Sequence, residues 1–258
     1  MPSYKPLLTT ILFFFVSINS FPAYAGEVVR MQFSDGRSDV VGIDNVNTVL
    51  RVVGVRASQV DIPKEAKSVL KAINGRTFTD EEKSQLLKIF SLNRAQLLDQ
   101  VRLAGREPAY PRGGYLEIEA VDAGTYPNVN DLKTLSPSIR SMVNQRFGLL
   151  HVNTWDDGTG IDETMTVIAG GPFTWFFVLP DGVVSKVTAE VVEPTGKAFR
   201  ISYPGLVIHG GFMPEDGVAI GIAHGPKKFR IRYEEPSVPN ARLLGTNPGL
   251  ITVERYLT

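Results

Sequence analysis

Three histidines are the only imidazoles in the chain, and all of them, His151, His209 and His224, lie beyond its midpoint. Each falls in or at the end of a segment with strand character. Imidazole is the commonest protein metal ligand and the usual general base near neutral pH. A small β-barrel gathers such strand positions into a shared interior or mouth. The alternative is three unrelated imidazoles, each hydrogen-bonded in the core or at its rim.

The densest run of polar chemistry is His151 to Glu163, with Asn153, four carboxylates (Asp156, Asp157, Asp162, Glu163) and two glycines around a turn. Three uses compete. Asp156, Asp157 and Asp162 could wrap an oxygen-loving cation such as Ca²⁺, although their spacing is not that of an EF-hand loop. A carboxylate could pair with a histidine as acid and base. Or the run is a polar hairpin whose aspartates cap their own backbone. Asn153, Trp155 and Asp157 are candidate ligand contacts, Trp155 as a stacking surface. Further on, Lys228, Arg230 and Arg232 alternate with Phe229 and Ile231, so the basic residues share one strand face. That face is either solvated or an anion-binding wall, with Arg230 the candidate contact. Arg106 and Arg112 could each hold a carboxylate as a fork, or serve as ordinary surface residues.

The stretch from Leu149 to Tyr233 resembles the cupin superfamily. A first cupin motif has a His, a second His two residues on, a Glu shortly after, then six residues and a Gly. His151-Val152-Asn153 is similar to its opening with Asn in place of the second His, and Glu163 is followed by six residues and Gly170. The second motif, Pro-x-Gly-x-x-His, is approached by Pro204 to His209, with Gly205 one place early. The gap from Asn153 to Glu163 is several residues longer than the family's. The resemblance implies a jelly-roll barrel holding a divalent metal (Fe, Mn or Zn) on His151, Glu163 and His209. It leaves room for His224 in place of the missing ligand, though no motif requires it. Two imidazoles and a carboxylate suit Fe(II) with open coordination positions, and also Mn or Zn. The metal would polarise a carbonyl or carboxylate, or bind O₂. The implied activity is that of a small-molecule enzyme on a carboxylate- or carbonyl-bearing metabolite, with His151, Glu163, His209 and His224 as catalytic candidates. Two alternatives stay open: a non-catalytic periplasmic binding protein, because no catalytic motif is complete, and an interaction module of the cell envelope, because the N-terminal strands could pair with a partner's edge.

The elements that must position these residues can be read in chain order. Residues 1–25 have the form of a signal peptide: Lys5, an apolar run from Leu7 to Ser17, and Ala23-Tyr24-Ala25 before Gly26. Residues 26–60 read as short strands, Val28–Phe33 and Val49–Val55 among them, that complete a sheet supplied from elsewhere. Residues 61–112 read as three helices and a linker. Asp61 and Pro63 start the first, with Ala66, Val69, Leu70 and Ile73 on one face. Thr79 with Glu82 and Asn93 with Gln96 have capping-box spacing. Residues 113–258 read as mainly antiparallel β, with candidate strands every 8–12 residues from Tyr115–Val121 to Lys228–Tyr233. One helix from Pro137, capped by Ser136, interrupts them; Ile139, Met142, Val143 and Phe147 form its expected face. The fold class is α+β: a C-terminal β-barrel or jelly-roll-like domain with a small N-terminal helical subdomain.

Composition narrows the classes. The chain has 258 residues, 43% hydrophobic and 21% charged, within the range of an ordinary globular protein. Lys+Arg and Asp+Glu both number 27, so no basic excess points to nucleic acid. With no cysteine, disulfides, thiolate chemistry and Cys-ligated metals are out. Gly158-Thr159-Gly160 is followed by Glu163 where a dinucleotide loop needs its third Gly, and no phosphate-binding loop occurs, so no nucleotide cofactor is expected. No segment after the leader is apolar enough to span a bilayer. The expected location is a bacterial periplasm or the medium.

Overall fold

A computed structural model describes residues 29–72, 76–106, 128–193, 196–224 and 229–249. The leader, the Asn74-Gly75 stop, Arg112, the candidate strand Tyr115–Val121 and Lys228 lie outside the described residues.

Twelve strands and five α-helices follow one another: β1 (Val29–Phe33), β2 (Val40–Val41), α1 (Ile43–Leu50), β3 (Arg56–Asp61), α2 (Lys64–Ala72), α3 (Asp80–Phe90), α4 (Arg94–Leu103), β4 (Asn128–Asp131), α5 (Pro137–Gly148), β5 (Val152–Thr154), β6 (Asp162–Ala169), β7 (Phe173–Val178), β8 (Val184–Ala189), β9 (Lys197–Tyr203), β10 (His209–Phe212), β11 (Val218–His224) and β12 (Arg230–Arg232). The strands form two five-stranded antiparallel sheets, ordered β10-β7-β8-β1-β2 and β3-β9-β6-β11-β4, and a short β12-β5 ribbon. Trp175 of β7 packs against Phe199 of β9 at 5.7 Å, and Phe177 against Tyr203 at 5.5 Å, so the two sheets face each other across one core. This is a jelly-roll-like double sheet rather than a closed barrel. Burying each such aromatic contributes about 1.5–3 kcal/mol. The N-terminal strands complete both layers: β1 pairs with β8 and β3 with β9.

Helix punctuation forms as its spacing requires. Both capping boxes, Thr79–Glu82 and Asn93–Gln96, are closed, and the Ser136 hydroxyl accepts from the Ile139 amide. Ala66, Val69, Leu70, Leu86 and Phe90 are buried in the main core.

Two expectations are corrected. Val49–Val55 is not a strand: it spans the end of α1, a 3₁₀ turn over Arg51–Val53, and Gly54 at φ 69°. Val46 and Leu50, four apart, are fully buried, and the Asn47 side chain bonds both the N–H and the C=O of Ala57, docking the helix on β3. Tertiary packing outweighs the β-branched propensity here. Helix α5 does not bury its expected stripe: Ile139 and Met142 are 45% and 60% exposed. It is held instead by Asn144, which hydrogen-bonds the backbone of Met213, and by Gly148 pressed against the Phe212 ring.

The segment after Pro236 wraps the outside of the first sheet. Val238 and Leu244 are buried against Val178, Val184 and Ile208. Among the described residues no helix is long and apolar enough to cross a membrane.

Candidate functional site

His151 and His209 sit opposite each other in an antiparallel bridge, exchanging both backbone hydrogen bonds at 2.8 and 2.9 Å. Directly paired residues project to the same sheet face, and their rings stand 4.5 Å apart. Asn153, two residues on, shares that face by strand periodicity. The Asn153 backbone binds Gly205 O and Ile161 N at 2.8 and 2.9 Å, which brings β6 alongside. Glu163 follows on β6, paired in register with Tyr203 of β9, whose ring lies 4.8 Å from that of His209. His151, Asn153, Glu163, Tyr203 and His209 thus meet at one end of the double sheet, each at most 5% exposed.

The histidines are held identically. His151 Nδ1 lies 2.7 Å from Leu149 O and His209 Nδ1 2.8 Å from Val207 O. A carbonyl only accepts, so Nδ1 carries a hydrogen in both rings and Nε2 is the nitrogen each turns to the cluster. Burial, reinforced by the neighbouring His209, pushes the His151 pKa down to about 3, so this imidazole stays neutral at ordinary pH. Asn153 Nδ2 donates to Glu163 Oε2 at 3.0 Å and stands 3.3 Å from His209 Nε2. His209 Nε2 and Glu163 Oε2 are 3.5 Å apart. Asn153 Oδ1 is buried with no hydrogen-bond partner. With no hydrogen on His209 Nε2, the reverse amide orientation would set three acceptors face to face.

The fit to a metal follows from these contacts. The donor types suit a divalent ion, and His209 with Glu163 has the spacing of two ligands of one ion. Among the described residues, however, no three His, Cys, Asp or Glu side chains are grouped to hold one, and a donating amide stands beside the two that come closest. As arranged, the cluster fits an amide-bridged histidine–carboxylate pair and not a closed three-ligand centre.

The remaining candidates lie elsewhere. Trp155 and Asp157 are on the hairpin beyond β5, where Asp157 Oδ1 accepts from the Thr159 amide at 2.8 Å. Asp156 pairs with Arg232 at 2.7 Å and Arg230 at 3.4 Å. Asp162 is buried in an ion pair with Arg106, whose Nη2 also binds Ser202 Oγ at 2.9 Å. The three aspartates therefore face three different partners, and the Ca²⁺ cage is not formed; the polar hairpin is. Arg106 is likewise an internal staple between the end of α4 and the second sheet. His224 ends β11 in register with Asp162, one position out of step with the Ala223–Glu163 pair; its side chain lies outside the described residues. Sequence reasoning missed Tyr203, and named Gly205 only as the displaced glycine of the second motif. Alternation of Phe199, Ile201 and Tyr203 along β9 carries a signal for the first. A Cβ on Gly205 would lie 2.1 Å from Ile161 O and 2.5 Å from Asn153 O, so only glycine lets these segments meet.

No protein-family model matches the chain, and no curated protein sequence matches it. Among solved structures, the chain is similar to an acireductone dioxygenase from Bacillus anthracis, described with a cadmium ion in its active centre. The two share 19% identity at a TM-score of 0.51, over 78% of this chain and 94% of that one. That protein has the cupin fold, so the likeness supports the cupin resemblance at the level of the fold alone.

Proposed function

We propose that this protein is an exported cupin-type enzyme acting on a small carboxylate- or carbonyl-bearing molecule. The observation that carries the reading is the convergence of His209, Glu163, Asn153 and His151 at one buried end of the double sheet, with both imidazoles fixed to present Nε2. In this reading His209 Nε2 takes the substrate proton. The Glu163 carboxylate, 3.5 Å away, stabilises the imidazolium that forms. Asn153 Nδ2, released from His209, donates to the oxygen on which charge develops. His151 stays neutral and sets the shape of the site. The test is turnover on a panel of small oxo- and hydroxy-acids. His209→Ala and Glu163→Gln are expected to lower kcat by at least about 10²-fold with the fold intact by circular dichroism. Undiminished turnover in both variants refutes the assignment. Export is tested by the mass of the protein from the periplasmic fraction, expected to begin at Gly26.

A metal-dependent form of the same reading has one observation in its favour, the orphaned Asn153 Oδ1. If the amide turned over, Oδ1 would join His209 Nε2 and Glu163 Oε2 as an acceptor, an arrangement that a divalent cation stabilises. Elemental analysis of wild type beside His209→Ala decides it: about one equivalent of Fe, Mn or Zn, lost in the variant, supports it, and none after reconstitution refutes it.

A further inference from the structure

A sizeable cavity among the described residues lies away from the histidine cluster. It is a cleft of about 540 Å³ where six segments meet: the turn after α1, the turn after α4, the start of β6, the β7–β8 turn, the β9–β10 turn and the segment after Pro236. That volume falls within the range of small-molecule sites. None of His151, Asn153, Glu163 or His209 lines it, so it is a second place and not the mouth of the first. Val178, Leu179, Leu206 and Val238 give it apolar walls. Its charges are three. Arg106 and Asp162 neutralise each other in their buried pair. Arg51 is left, exposed at the cleft, its guanidinium without a hydrogen bond or ion pair among the described residues. The cleft is therefore an apolar trough with one uncompensated positive charge.

We propose that this cleft binds an amphiphilic anion: an apolar body of medium length against Val178, Leu206 and Val238, and a single carboxylate or sulfonate on Arg51. A guanidinium with free donors engages such a group bidentately, while the apolar body supplies contact area without needing polar partners. The side chains that give the cleft its apolar walls and its charge are not those proposed for catalysis, although the Val207 carbonyl that holds His209 Nδ1 belongs to the same turn.

The test uses the full mature chain and the fluorescent probe 1-anilinonaphthalene-8-sulfonate, with decanoate and decanol as competitors. Saturable one-to-one binding is expected, with decanoate displacing the probe at least fivefold more effectively than decanol. In Arg51→Gln, at an exposed position that leaves the fold intact, that preference is expected to vanish while decanol competes as before. In Leu206→Trp, which fills the trough, probe binding is expected to fall at least tenfold; if that variant does not fold, Arg51→Gln carries the test. Absence of saturable binding overturns the proposal, as does equal competition by decanoate and decanol in the wild type, or an unchanged preference in Arg51→Gln.

Discussion

Gly205→Ala is expected to be the most damaging glycine-to-alanine change among the described residues. An ideal Cβ at this position would lie 2.1 Å from Ile161 O, 2.4 Å from Ile161 N and 2.5 Å from Asn153 O, where real Cβ atoms keep at least 3.0 Å. All three neighbours are backbone atoms, so no side chain can swing aside. The Pro204–Ile208 turn must instead back away from the β5–β6 hairpin by close to an ångström. That movement pulls on the Asn153 N–H to Gly205 O bond (2.8 Å) and the Gly205 N–H to Asp162 Oδ1 bond (3.2 Å). Two weakened hydrogen bonds at about 1 kcal/mol each, added to overpacking of about 1–3 kcal/mol, give a loss of about 3–5 kcal/mol. This is a large part of the stability of an ordinary domain. Urea unfolding followed by circular dichroism measures it, with Gly196→Ala as the control. There the nearest atom to the new Cβ is at 3.4 Å, an ordinary contact, and the midpoint is expected to stay near that of the wild type. A Gly205→Ala protein within 1 kcal/mol of wild type would refute the close-approach argument, and with it the claim that this glycine seats Asn153 beside Glu163.

Three further outcomes are expected. Arg106→Met removes the partner of a carboxylate that is 2% exposed and should cost about 3–5 kcal/mol; in the double variant with Asp162→Asn part of that loss should return, and simple additivity in urea midpoints would refute the coupling. His151, with its pKa lowered to about 3 from 6.5, binds a proton more readily unfolded than folded, so its contribution is intact above about pH 6.5 and is lost as pH falls toward 3, by about 3 kcal/mol at pH 4. His151→Gln should therefore lose less stability than wild type between pH 7 and pH 4, and parallel losses would refute the reasoning. Asn153→Asp sets a carboxylate beside that of Glu163, where the amide now donates at 3.0 Å, and should lower the thermal midpoint in chelator; recovery on adding Mn²⁺ or Zn²⁺ would favour the metal-dependent reading, and indifference to metal would count against it.

What could be read from the sequence was whatever is decided within a few residues. Thr79–Glu82, Asn93–Gln96 and Ser136 announce helix starts because a cap is a contact over three residues. Most strands of the C-terminal half are bounded by Gly and Pro turns and appear close to where they were expected. What escaped was decided at long range. Val49 and Val53 carry strand-forming side chains, yet the docking of Asn47 on Ala57 settles a helix there. The stripe from Ile139 to Phe147 has helical spacing, yet contact is made through Asn144 and Gly148. Asp162 sits among loop aspartates, but its side chain belongs to Arg106, 56 residues away.

Two of the three departures from the cupin motifs, Asn153 and Gly205, meet in the structure. Where the family has a second histidine, this chain has Asn153, whose amide donates to Glu163 and stands against His209. An imidazole on Nδ1 tautomerism, as in His151 and His209, would present a lone pair at that place; the amide presents hydrogens. The pair it bridges is thereby satisfied without a further ligand, and the unsatisfied atom is moved to Asn153 Oδ1. Seating that amide requires β5 to lie hard against the β9–β10 turn, with Asn153 N–H on Gly205 O. The glycine is needed at the point of contact, position 205, and the family's place for it, position 206, carries a leucine that faces the second cleft. Asn153 and Gly205 thus meet at one backbone contact, which ties the polar cluster to the turn that also forms the wall of the apolar trough.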